Sequence, residues 1–356
     1  MSPFVSDRPL HLWRCPVNIH SLKLFLAVAT VAIISLATVP LAAQGPATDQ
    51  NWTAPHTAFG HPDLQGVWAN NNATPLQRPE VLGERDYLTD EELAAIQSRA
   101  DELFSLDSGD AAFGDSVFSA ALSEAENFTS RDTATGNYNQ FWMVERDWDN
   151  RTSLIVVPPN GRIPPRTAAG QAYLDARSAV RQQHAGWTDD RSLGERCLSF
   201  GVPRLGAGYN SYYQLFQTPN YVVIQMEMAH DARIIPLDGR PHVDDSVRQW
   251  LGDSRGHWEG DTLVVETTNY SPKSYFMGAA ENLQVTERFT RVGPDVLQYE
   301  VTLTDPTTWT APWSVMIPLR RSNDAMYEYA CHEGNIGMEG ILAGARVKEA
   351  QEAASR

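Results

Sequence analysis

The fold class is decided by residues Gln284–Thr304, QVTERFTRVGPDVLQYEVTLT. Apolar and polar side chains alternate along Gln284–Val292 and again along Val296–Thr304, and turn-forming residues separate the two runs. A period of two residues is that of a β-strand, because successive side chains point to opposite faces of a sheet. The stretch therefore predicts two antiparallel strands that share one apolar face and one polar face.

Similar β-branched and aromatic runs recur along the chain with turns between them: Asp63–Trp68, Tyr212–Thr218, Tyr221–Met228, Arg233–Leu237, Thr262–Thr268, Ser314–Leu319 and Met326–Ala330. Many short strands at such spacing favour an antiparallel sheet over a βαβ fold. We predict one β-rich domain over residues 63–356, a barrel or sandwich of about 8–10 antiparallel strands with a few peripheral helices.

An insertion of loop and helix is predicted at about residues 85–137. Thr89 and Glu92 have the spacing of a capping box, which predicts a helix that begins there and ends at about Leu106. Residues 107–137 are polar and aperiodic, and they predict a loop. Two further helices are predicted at about Thr167–His184 and Met338–Ala354.

The polar faces of the strands have two interpretations. In an ordinary sheet such a face meets water. In a barrel wide enough to hold a ligand it lines the cavity instead, and Glu227, Glu266, Arg288 and Glu300 are then its polar groups.

Residues 1–43 have the pattern of a secretory signal peptide. Leu24–Ala43 carries no charge, follows Arg8, Arg14 and Lys23, and ends in a small-residue processing site. The alternative is an uncleaved membrane anchor, because about 20 apolar residues can span a bilayer. We predict cleavage, a leader over residues 44–62 and an exported protein, periplasmic or extracellular, with no stable membrane insertion once the signal is removed.

The composition excludes some partners. The chain has 28 Lys and Arg against 44 Asp and Glu, a net charge of -16, so phosphate backbones would repel it and no nucleic-acid partner is expected. Neither a phosphate-binding glycine loop nor the paired histidines of a zinc protease occurs, and we expect no cofactor and no metal. A site assembled from His230, His242 and Asp231 is the metal-binding alternative. The expected partner is a small molecule, and the oligomeric state stays open.

Two cysteines, Cys197 and Cys331, remain after removal of the signal. An even pair in an oxidising compartment predicts a disulfide, whereas two buried free thiols are the alternative. The bridge would place Glu195 and Arg196 beside the segment Cys331–Glu333.

Several blocks of the sequence resemble a family of exported bacterial proteins: PDLQGVW, RTSLIVVPPNGRIPP, RSLGERCLSFGVPR, HDARIIPLDGRPH, RQWLGDSRGHWEGDTLVVETTNY and YACHEGN. This resemblance implies bacterial export and a shared globular fold, and it brings no established activity. The opening Gly66-Val67-Trp68 also resembles the Gly-x-Trp start of lipocalins and other calycins, which implies a calycin-like barrel.

The first candidate site is the cluster of Glu227, His230, Asp231 and Arg233 at the end of a strand. A histidine beside carboxylates is suited to acid–base catalysis, and an arginine stabilises developing negative charge. The structural alternative is that Asp231 and Arg233 pair to order a hairpin. A second cluster follows the last strand, where His332 would join the catalytic set and Glu333 would bind substrate; its alternative is a simple polar turn.

A third candidate is the turn-rich stretch Trp250–Asp261. Its polar residues Asp253, Arg255 and His257 would form the rim of a pocket, and Trp250 and Trp258 would stack on a ring-shaped ligand.

Two functions are compatible with these patterns. The first is a cofactor-free enzyme, a hydrolase, lyase or isomerase, that uses His230, Asp231, Glu227, Arg233 and His332 for acid–base chemistry on a small molecule. The second is a lipocalin-like protein that binds a small ligand and catalyses nothing. The enzyme hypothesis requires that His230, Arg233 and His332 meet in one cavity.

Overall fold

The computed structural model describes residues 52–105, 110–123, 127–129, 139–184, 187–188 and 191–355. The predicted signal peptide and residues 44–51 of the predicted leader lie outside the described residues. The fold is mainly β, as predicted, and its strands form a single ten-stranded antiparallel sheet.

The ten strands are β1 (Gly66–Ala69), β2 (Ile155–Val157), β3 (Tyr212–Gln217), β4 (Tyr221–Met226), β5 (Ala232–Pro236), β6 (Asp253–Glu259), β7 (Thr262–Thr268), β8 (Gln284–Gly293), β9 (Val296–Thr304) and β10 (Trp313–Ser322). Their order in the sheet is β5-β4-β3-β1-β10-β9-β8-β7-β6, and β2 pairs with part of β10. The strand that comes first in the chain therefore lies in the middle of the sheet. On either side of it, strands that follow one another in the chain pair as antiparallel neighbours.

Within the described residues, four α-helices accompany the sheet: α1 (Asp90–Leu103), α2 (Ser116–Leu122), α3 (Ala168–His184) and α4 (Ile336–Ala354). The capping box predicted for α1 is present, because Thr89 accepts from the Glu92 backbone N–H and Glu92 accepts from that of Thr89. Helices α1 and α2 pack on each other around Ile96 and Phe118, in a small core of their own. None of the helices in the described ranges is both long and apolar enough to cross a membrane.

One face of the sheet is packed with apolar side chains. The alternation in Gln284–Thr304 is confirmed, because Val285 and Phe289 on β8 and every second residue of β9 from Leu297 to Leu303 are buried. The rings of Phe289 and Tyr299, paired across the two strands, are stacked with their centroids 4.6 Å apart. Glu266 is exposed on the other face. The buried face thus forms a filled core.

A buried ion pair lies within this core. Glu287 stands between Val285 and Phe289 on β8, and Arg233 reaches it from β5. Arg233 donates from Nη1 to Glu287 Oε1 at 3.0 Å and from Nη2 to Oε2 at 2.5 Å, while the Tyr299 hydroxyl donates to Oε1 at 2.6 Å. Burial alone would lower the pKa of Arg233, but the charge of Glu287 outweighs burial and raises it. Arg233 therefore stays charged within the core.

Side chains join the two edge strands of the sheet. Arg233 on β5 donates to Ser254 Oγ on β6 at 3.0 Å and to Thr267 Oγ1 on β7 at 3.1 Å. The absence of a side chain at Gly256 on β6 lets β5 approach closely, because a Cβ at this position would lie 2.9 Å from Ile235 Cγ2 on β5. No backbone ladder connects β5 with β6 in the described part of the chain, so hydrogen bonding does not close the sheet into a barrel.

Several local predictions differ from the structure. Met326–Ala330, predicted as a strand, is irregular. Asp253–Glu259, assigned to a turn-rich loop, is strand β6, in which glycine and polar residues hide the period of two. Residues 116–122, assigned to a loop, form α2, because Val117, Phe118 and Ala121 are buried against α1. Helix α1 ends at Leu103, three residues before the predicted Leu106.

Replacement of Arg233 with methionine is expected to reduce the free energy of unfolding by about 3–5 kcal/mol, because it leaves the charge of Glu287 buried without its partner. The matched control is Arg288→Met. Arg288 follows Glu287 on β8, but it lies on the opposite face of the sheet and pairs there with exposed Glu259. That change is expected to cost about 0–1 kcal/mol. Chemical denaturation measures both, and equal losses would contradict the assignment.

Candidate functional site

A cleft of about 800 Å³ is lined by residues outside the strands and reaches the core at its floor. Three segments form its walls: α3 between residues 174 and 178, a loop over residues 191–202, and the connection between β7 and β8 over residues 270–283. Trp250 completes the wall on the side of that connection. Concave sites of this size are typical of small-molecule binding.

The floor of the cleft is apolar and belongs to the core. Val202, Ala279 and Leu283 are buried there, and Tyr270 is only 2% exposed. Burial raises the pKa of Tyr270 well above its usual value, so its hydroxyl stays neutral. The floor is thus fixed by the packing of the sheet itself.

The disulfide predicted from the sequence anchors one wall. Cys197 and Cys331 are bonded with their Cα atoms 5.6 Å apart, which confirms that prediction. Asn335 Nδ2 adds a hydrogen bond to the backbone oxygen of Glu195 at 2.9 Å. The bridge therefore brings the segment before Cys197 against the turn that follows Cys331, as expected.

Asp231 is hydrogen-bonded to the same wall of the cleft. Its Oδ2 accepts from Ser199 Oγ at 2.8 Å and from the Phe200 backbone N–H at 3.2 Å. Both partners line the cleft. Burial raises the pKa of Asp231, although these hydrogen bonds and the charge of Arg204 act in the opposite direction. The structure thus gives Asp231 a positioning contact to the wall.

The opposite wall is tied together by backbone and hydroxyl groups. Ser274 Oγ donates to the backbone oxygen of Trp250 at 2.8 Å, and the Ser271 N–H donates to that of Gln249 at 2.8 Å. Gly252 has a φ of +70°, and a Cβ there would lie 2.6 Å from the Thr268 backbone oxygen. A glycine is therefore needed where this wall turns into β6.

Aromatic and charged side chains face each other across the cleft. Trp250 and Tyr275 are 39% and 43% exposed. The guanidinium of Arg177 lies over the Tyr275 ring, 4.7 Å from its centroid. Four basic residues line the cleft against two acidic ones: Arg177, Arg191, Arg196 and Lys273 against Asp175 and Glu195.

The first predicted cluster is only partly assembled. Glu227 and His230 lie at either end of a turn after β4. His230 is half-buried, and its Nδ1 accepts the Tyr329 backbone N–H at 3.0 Å. Burial raises the pKa of Glu227, which is 6% exposed. Arg233 instead points into the core, so it does not meet His230 in a cavity.

The other predicted site residues are dispersed. His332 and Glu333 are exposed on the turn before α4. Asp253 is buried at the start of β6, where it accepts from His242 Nδ1 at 2.8 Å and contacts Arg255 Nη1 at 2.9 Å.

Further along β6, His257 pairs with exposed Glu259, and Trp258 stacks on His61 with the ring centroids 4.8 Å apart. None of these residues lines the cleft described above, whereas Trp250, also suggested as a stacking residue, does. Among the residues that the structure describes, no group of three or more His, Cys, Asp or Glu is placed to hold a metal ion.

Sequence reasoning missed most of the cleft. The connection over residues 270–283 has no periodic pattern, and α3 was predicted only as a helix. The available signal was the disulfide, because it pointed to Glu195 and Arg196, which do line the cleft.

Comparison with known proteins gives no match: no family model, curated protein or solved structure matches this chain. The resemblance to exported bacterial proteins stays a prediction, and function has to be argued from the site alone.

Stability is expected to respond to pH through Asp231. A carboxyl whose pKa is raised on folding stabilises the fold below its unfolded pKa of about 4, and this contribution is lost as the pH rises through the folded pKa. Asp231→Asn should therefore gain stability relative to the unmodified protein between pH 4 and pH 7.

Thermal unfolding at the two pH values measures this difference. The control is Asp238→Asn, because the Arg240 side chain lowers the pKa of exposed Asp238, so its contribution changes mainly below the unfolded pKa of about 4 and its relative stability should stay nearly constant between pH 4 and pH 7. A relative stability of Asp231→Asn that stays constant or falls with pH would contradict the assignment.

Proposed function

We propose that the protein binds a small molecule in the cleft between α3, the disulfide-anchored loop and the β7–β8 connection. The observation that carries this proposal is the pair of exposed aromatic side chains, Trp250 and Tyr275, inside a concave site. Tryptophan, tyrosine and arginine are the residues that most often dominate binding energy. Exposed rings in a cleft gain the most from covering by a ligand.

The fixed walls support the same proposal. Cys197 and Asp231 hold one wall, and Ser274 holds Trp250 in the other. A site that is ordered before the ligand arrives loses less conformational entropy on binding.

The binding function suggested by the calycin resemblance would use the interior of a barrel. We favour the cleft instead, because aromatic rings and the Arg233–Glu287 pair fill the interior.

Trp250→Ala is expected to weaken binding about tenfold, because a stacked ring contributes about 0.5–1.5 kcal/mol beyond its buried area. The matched control is Trp142→Ala, which removes a tryptophan that is 62% exposed away from the cleft. A library of small aromatic and aliphatic compounds, screened by thermal shift and titrated by calorimetry, provides the ligands. The proposal fails if no compound binds, or if both variants bind the ligands as tightly as the unmodified protein.

A second candidate function is acid–base chemistry at Glu227 and His230. Two observations favour it. Glu227 Oε2 is buried with no hydrogen-bond partner among the described residues, and burial raises the pKa of this carboxyl, although its hydrogen bonds with Asn210, Tyr212 and Tyr327 act in the opposite direction. Because His230 Nδ1 accepts a backbone N–H, the neutral ring carries its proton on Nε2. Glu227 would act as the base and His230 as a hydrogen-bond donor to a developing oxyanion.

Deuterium uptake from D₂O into the methyl group of 2-acetylnaphthalene, followed by NMR, tests this second candidate. Proton abstraction beside the carbonyl by Glu227 should accelerate uptake, and Glu227→Gln should slow it at least about 100-fold. Glu266→Gln, a change at an exposed carboxylate of the sheet, is the control. An unchanged rate in Glu227→Gln, or no acceleration by the unmodified protein, would eliminate the candidate.

A further inference from the structure

We propose that the cleft selects a planar aromatic carboxylate, or another aromatic molecule with a single anionic group of similar size. This inference rests on the proposed binding function and adds the chemical class of the ligand.

The charge of the lining departs from that of the whole chain. Basic residues are outnumbered by acidic ones in the sequence, 28 to 44, but they outnumber acidic ones in the cleft by four to two. A concave site lined by one sign of charge concentrates ligands of the other sign. The cleft is therefore a locally cationic site on an acidic protein.

The acidic residues of the lining are already engaged. Glu195 accepts from Arg191 Nη2 at 2.6 Å, and its Oε2 accepts from the backbone N–H and the hydroxyl of Ser192 at 2.8 and 2.9 Å. Asp175, on α3, accepts from Gln171 at 2.8 Å. The ion pair offsets the charge of Glu195 with that of Arg191, which leaves three basic residues against one acidic residue in the rest of the lining.

Arg177 connects the charge with the aromatic surface. Its guanidinium lies against the Tyr275 ring, and Trp250 is exposed in the same cleft. Its Nη1 donates to Tyr173 Oη at 3.5 Å, and the other edge of the guanidinium, with Nε and Nη2, has the geometry to donate to a carboxylate in a bidentate manner. An aromatic ring against Trp250 or Tyr275 and a carboxylate toward Arg177 would satisfy both features at once.

Three probes with the same ring separate charge from shape: 2-naphthoate, 2-naphthalenemethanol and 2-naphthylmethylammonium. Isothermal titration calorimetry on the unmodified protein should show naphthoate binding about tenfold more tightly than the alcohol, and the ammonium compound binding most weakly, because a charge-assisted hydrogen bond contributes more than a neutral one.

Three variants then assign the preference. Arg177→Gln should reduce the naphthoate preference to about twofold or less while the alcohol keeps its affinity, and Arg177→Lys should retain only part of the preference, because it keeps the charge but loses the bidentate contact and the stacking on Tyr275. Arg162→Gln is the matched control, because Arg162 pairs with exposed Glu80 outside the cleft and should leave all three affinities unchanged.

The outcomes separate the two proposals. If the alcohol binds as tightly as naphthoate and Trp250→Ala weakens both, the cleft binds small molecules but the selection of anions is wrong. If none of the probes binds and the compound library also gives no ligand, both proposals fall. A naphthoate preference that survives in Arg177→Gln would overturn the assignment of the anion contact.

Discussion

The buried ion pair of Arg233 and Glu287 links one edge of the sheet to its other half. Arg233 belongs to β5, whereas its partners Ser254, Thr267 and Glu287 belong to β6, β7 and β8. Two charges are costly to bury unless they satisfy each other, so the edge with Arg233 must lie over β8. The curvature of the sheet thus depends on a side-chain contact rather than on a backbone ladder.

This constraint bears on where the proposed binding site lies. Because the core is occupied by the ion pair and by rings such as Tyr299 and Phe289, we propose binding in the cleft beside it. Tyr270 connects the two regions, since it is packed in the core and also forms part of the cleft floor. The loops around that floor lie outside the strands, and the disulfide and Asp231 add contacts that hold one of them in place.

The sequence allowed the fold class to be predicted because local patterns report local structure. Alternation identified β8 and β9, the capping box identified α1, and compartment reasoning identified the disulfide. Glu287 breaks the apolar alternation of β8, and this was the one available sign of a buried charge. Arg233 was assigned to a strand-end site because the pattern around it gave no indication that it faces Glu287, 54 residues away.

The cleft was not predicted because loops determine it. A wall such as residues 270–283 has no period, and its position depends on contacts with distant segments, as Ser274 with Trp250 shows. His230 and Arg233 are near in sequence, yet their side chains point in different directions, because Ala229 and His230 form a turn with positive φ angles. Closeness in sequence was therefore a poor guide to which side chains meet.

A double-mutant cycle tests most directly whether Arg233 and Glu287 depend on each other. The free energy of unfolding is measured for Arg233→Met, for Glu287→Leu and for the double variant. If the pair is the constraint described here, the double variant should be more stable than the sum of the two single losses predicts, by about 2 kcal/mol or more, because neither charge is then left buried alone. Losses that add to within about 0.5 kcal/mol would show that the two side chains act independently and would contradict the account.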